Sequence, residues 1–152
     1  MNLPSLAQLE PILQLAIGPV ILISGVGLLQ LSLTNRLGRL IDRARQLNHD
    51  RNSATSEDFL RLDAQLAILD RRAKMLRQSI TLGTLTVLLV SLLILLLFFS
   101  ALFQLETGII IVALFSFALL AFIACNVLFI REMNLSLEAM HLEIQHHRSR
   151  SK

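Results

Sequence analysis

Charged side chains are missing from three long stretches of this chain, and that pattern predicts its main elements. No Asp, Glu, Lys or Arg occurs from Pro11 to Asn35, from Gln78 to Leu105 or from Thr107 to Ile130, where Leu, Ile, Val, Phe, Ala and Gly dominate. About 20 apolar residues of α-helix cross a hydrocarbon core about 30 Å thick, so each stretch is long enough to span. The pattern predicts transmembrane helices over about 11–33, 80–103 and 107–130.

Helical periodicity continues beyond the spans. Leu33, Leu37, Leu40, Ala44 and Leu47 recur at alternating intervals of four and three, until the polar run Asn48–Ser53 predicts a turn. Ser56 is placed to cap a new helix, and Glu57 and Asp58 suit its positive end. Phe59, Leu62, Leu66, Leu69, Ala73 and Leu76 then restart the pattern, and Met133, Leu137, Met140 and Ile144 repeat it after the third span. These are three apolar seams of coiled-coil period. The expected fold is an all-α membrane protein of one domain over 1–152. Its three long helices span the bilayer and extend into a cytoplasmic antiparallel helical bundle. The bundle comprises a hairpin over about 34–79 and a C-terminal helix over about 131–148. At 1.5 Å per residue the extensions reach about 25–33 Å, and Gln104–Thr107 forms a tight outer turn. Residues 2–10 predict a short interfacial helix capped by Asn2, with Pro4 in its first turn and Pro11 opening the first span. Pro19 removes an internal hydrogen bond and bares the Leu15 carbonyl, which predicts a kink.

Composition agrees: 54% of the 152 residues are hydrophobic and the mean hydropathy is +0.64. The net charge of +3 and pI near 10.0 would suit nucleic acid, but the distribution argues for a membrane instead. All 14 basic residues lie within Arg36–Arg77 or Arg131–Lys152, the positive-inside bias that sets topology. The N-terminus is expected outside and the C-terminus in the cytoplasm. Residues 1–10 lack the basic start of a signal peptide, so the first span reads as retained. Trp and Tyr are absent; Phe98, Phe99, Phe103 and Phe129 lie where interfacial aromatics would. Cys125, the only cysteine, reads as a small packing residue rather than a redox group.

Candidate chemistry is sparse. Gly18, Gly25 and Ser32 are seven apart and share a face of the first helix with Pro19 and Ser24 nearby. Small residues let helices approach closely in lipid; the alternative is a pore-facing stripe. Thr34, Asn35 and Asn126 place polar groups at the inner boundary, and Arg36, Arg39 and Arg77 form a basic inner mouth. Thr81, Thr84 and Ser91 are expected to bond their own i−4 carbonyls. Glu138, His141, Glu143, His146 and His147 lack a second ligand cluster, so no metal and no cofactor is expected. No nucleophile beside a base and no phosphate loop is present, which argues against an enzyme. The spans hold no ionisable group for coupled transport.

The run Ala16 to Leu29, with its Gly18-Pro19, Gly25 and Gly27, leads through Leu33-Thr34-Asn35-Arg36 and Gly38-Arg39 to Asp42-Arg43 and Arg45. It resembles a family of small bacterial membrane proteins, domain of unknown function 2721. The order of span, charged helices and two close spans matches as well. The resemblance implies a fold, in a bacterial plasma membrane, and brings no established activity, so it transfers no catalytic residues. Two functions fit these residues. One is a homo-oligomeric, channel-like protein for passive ion movement. The other is a structural or adaptor protein whose cytoplasmic helices dock a partner.

Overall fold

Nothing in this sequence breaks a helix after Pro19 except two short connections, because the chain has no later proline and is rich in good helix formers. The computed structural model describes the backbone of residues 6–52, 56–104 and 106–150, and the side chains of 14–51, 58–104 and 106–135. It is all-helical over these residues: α1 is Leu6–Asn52, α2 is Ser56–Phe103 and α3 is Gly108–Arg150. With 47, 48 and 43 residues, each is about 65–72 Å long at the usual rise.

The helices differ from expectation mainly at their ends. α1 is already helical at Leu6, passes Pro11 and Pro19 as one helix, and runs on to Asn52, through most of the polar stretch expected to form the turn. The expected Asn2 cap and Pro4 lie outside the described residues. α2 starts at Ser56. It closes on Gln104, whose φ of 51° is left-handed, a conformation common just past a helix C-terminus. Thr107 then starts α3: its carbonyl accepts from Ile111 N at 3.1 Å and its hydroxyl donates to Ser100 Oγ at 2.8 Å.

The fold divides into two compact units, both built from all three helices. The first takes α1 up to Leu31, Thr81 to the end of α2, and α3 up to Ala124. The second takes the stretch from Ser32 to Ile80 and α3 from Cys125 onward. In the first unit Ala16, Val26, Thr86, Val90, Leu93, Leu97 and Ala118 are buried, with Gly83 beside them. In the second the buried set is Leu33, Leu40, Leu47, Leu76, Ser79, Cys125 and Glu132. Along α1 the buried residues Val26, Leu33, Leu40 and Leu47 fall every seventh position. On α2, Leu76, Ser79, Gly83, Thr86, Val90, Leu93 and Leu97 alternate threes and fours.

One seam expectation is corrected on α3. Met133 is exposed, and the buried register is Ala118, Cys125 and Glu132. The two positions are adjacent, about 100° apart on a helix, so only one can face inward. Packing and charge pairing select Glu132, because Arg36 and Arg72 meet it there. Leu137, Met140 and Ile144 carry side chains outside the described set.

Three helices are long and apolar enough to cross a membrane: Gln14–Arg51, Asp58–Phe103 and Gly108–Leu135. Their outward faces are apolar. Leu15, Ile21 and Leu28 on α1, Leu88 and Leu95 on α2, and Ile109, Val112, Phe117 and Leu120 on α3 are all more than half exposed. Water would be a poor solvent for such a surface.

Candidate functional site

The second unit holds the one carboxylate buried among the described residues. Glu132 is 1% exposed, and a charge out of water is stable only when paired. It lies in the inward register of α3, seven residues past Cys125, so its side chain is aimed at α1 and α2. Arg72 of α2 donates from Nη2 and from Nε to Glu132 Oε1, at 2.9 and 3.2 Å. Arg36 of α1 sets Nη1 3.5 Å from Oε2, which accepts no hydrogen bond among the described residues. The Arg36 guanidinium also lies 5.3 Å from the Phe129 ring centroid, within cation–π range. One carboxylate thus ties together three helices.

A cavity of about 210 Å³ opens beside this pairing, lined by Arg36, Arg39, Leu40, Arg43, Leu69, Arg72 and Glu132. Four arginines and one carboxylate line it. The charges come to a net +3 in a partly apolar recess. Arg43 Nη1 donates to Gln46 Oε1 at 3.3 Å, and Arg39 has no partner among the described residues. Further along the same unit, Arg51 bridges to Asp63 at 3.3 Å and lies 4.6 Å from the Phe59 ring centroid. Lys74 and Asp70 form an exposed i,i+4 pair at 2.6 Å, of the kind worth a few tenths of a kcal/mol.

α2 and α3 approach through small side chains. The Cys125 thiol donates to the Ser79 carbonyl at 3.1 Å, while Ser79 Oγ returns to Met75 O at 3.1 Å. Ser24, Thr86, Ser91 and Ser116 likewise bond the carbonyl four residues back. The Thr84 hydroxyl also accepts from Gln30 Nε2 at 2.9 Å, joining α1 to α2 in the first unit.

The candidates on α1 are left on the surface. Gly18, Ser24, Gly25, Ser32, Thr34 and Asn35 are exposed, and Pro19 and Asn126 are half-buried. A Cβ added to Gly18, Gly25 or Gly27 would meet nothing within 4 Å. The small residues buried among the helices are instead Ser79, Gly83, Thr86, Ala118 and Cys125. Of the expected basic mouth, Arg36 and Arg39 line the cavity, and Arg77 is exposed and does not. Glu132, Arg72 and Arg43 were absent from the candidates read in the sequence. The signal for Glu132 was its spacing of seven and fourteen from Cys125 and Ala118. No group of three metal-ligating side chains occurs among the described residues, and the Glu138–His147 candidates lie outside those side chains.

A family model described as "Protein of unknown function (DUF2721)" matches residues 16–142. The chain belongs to the DUF2721 family. The DUF2721 match takes in the glycines of α1 and every residue lining the basic cavity. No curated protein and no solved structure matches the chain.

Proposed function

We propose that this protein is a three-span membrane protein of a bacterial plasma membrane that assembles with copies of itself and gives ions a passive path. Its N-terminus is outside, and the basic stretches Arg36–Arg77 and Arg131–Lys152 are cytoplasmic. The carrying observation is the open face of α1. Gly18, Gly25 and Gly27 have no neighbour at the Cβ position, although small residues are what close helix contact in lipid selects. Each unit is filled inside: Val26, Thr86, Val90 and Ala118 in the first and Leu33, Leu76 and Cys125 in the second have no accessible surface. An ion path must then run between copies, along a face such as that of α1. The arginines at its inner end would raise the local anion concentration.

The openness of the glycine face makes the test clean. Gly25→Leu has room within the subunit, so its fold and thermal stability should persist while the assembled mass in native mass spectrometry falls. Ion flux into liposomes should fall with it. Unchanged mass would remove α1 from the contact between copies, and absence of flux for the parent over empty liposomes would reject conduction. One observation favours the adaptor reading as the alternative: Leu60, Ala64 and Ile68, exposed and four apart on α2, form an apolar line among charged neighbours.

A further inference from the structure

We propose that the arginine-lined cavity is a binding site for a phosphate group, supplied by the headgroup of an anionic lipid or by free phosphate. Topology requires only that basic residues gather on one side of the membrane. It does not require a buried carboxylate that holds two of them around a recess. Glu132 takes two hydrogen bonds from Arg72 and draws Arg36 to 3.5 Å, while Phe129 backs the Arg36 guanidinium. Two of the four cations are thereby oriented before any ligand arrives, and preorganised donors lose less freedom on binding.

Glu132 offsets one positive charge and is itself out of reach of solvent. Arg39 and Arg43 supply the excess from the exposed face of α1. Guanidinium forks match the geometry of phosphate oxygens, and about 210 Å³ accommodates a phosphate with a small ester group. Leu40 and Leu69 give the recess an apolar wall. Arg36 is the first charge after the apolar run of α1, and Glu132 the second charge after that of α3. On the three-span reading this is the level of the inner-leaflet headgroups, where anionic lipid attracts basic segments. The charge and shape of the cavity stand without that reading, and it bears only on which source of phosphate is used.

The full-length protein in detergent should be titrated with short-chain phosphatidylglycerol, with phosphatidylcholine of equal chain length, and with inorganic phosphate. Phosphatidylglycerol should bind more tightly than phosphatidylcholine and lose affinity as salt rises. Arg39→Gln, which breaks no ion pair among the described residues, should weaken it about tenfold, the size of one charge-assisted hydrogen bond. Binding of inorganic phosphate with the same Arg39 dependence would identify the free anion as sufficient. Binding of the lipid alone would identify the headgroup. Equal binding of the two lipids without any phosphate binding would overturn the proposal. So would an Arg39→Gln, Arg43→Gln double variant that melts like the parent and binds the anion equally well.

Discussion

Glu132 is where a single change should be felt by three helices. Removing one member of a fully buried ion pair costs about 3–5 kcal/mol, because the remaining charge is stranded. Here Arg36 and Arg72 keep 26% and 18% of their side-chain surface, so water takes up part of that loss. Glu132→Gln should destabilise the fold by about 2 kcal/mol, read as a lower melting temperature in detergent. Arg39→Gln should melt with the parent. A Glu132→Gln protein as stable as the parent would show that the pairing contributes orientation without stability. In the sequence Glu132 passed as one of several charges after the third span. Its role depends on which face of α3 turns inward, and Met133 beside it is the more hydrophobic choice. The pairing partner on α2 lies 60 positions away, a distance at which local pattern is blind.

At the scale of the helices, existence was legible and surface was not. Charge-free runs and heptad spacing are local properties, so the three helices and the Leu33–Leu40–Leu47 positions follow from the chain alone. Whether Gly25 faces a neighbour depends on the rotation of α1 against α2 and α3, which small residues on several faces leave open. The inward register makes a sharp prediction. Leu76, with no accessible surface, should cost about 2–4 kcal/mol on truncation to Ala, whereas Leu60, 73% exposed, should cost under about 0.5 kcal/mol in the same change. Equal losses in chemical unfolding would contradict the register. The C-terminal end of α2 supplies a second one. Gln104 holds φ 51°, which strains a residue with a Cβ. Gln104→Gly should raise stability by about 0.5–1 kcal/mol, part of the relief being offset by the entropy glycine gains when unfolded.

For the whole molecule the proposed topology has a direct check. With every basic residue in Arg36–Arg77 or Arg131–Lys152, Glu106 belongs to the outer turn and His49 to the cytoplasmic end of α1. In intact cells a membrane-impermeant thiol reagent should label a cysteine at Glu106→Cys and spare one at His49→Cys until the membrane is opened. The reverse pattern would invert the protein and move the arginine cavity to the outer leaflet.

The lone cysteine has a use that follows from its position. Cys125 has no accessible surface, and its thiol is held by the Ser79 carbonyl of α2. A thiol in that setting reacts only after α2 and α3 part, so the chain carries its own clock for local opening. In the native state alkylation should be slow and insensitive to reagent concentration once opening limits it. It should accelerate in any variant that loosens the seam, Leu76→Ala included. Rapid labelling of the parent under native conditions would mean that this seam opens far more readily than its packing implies.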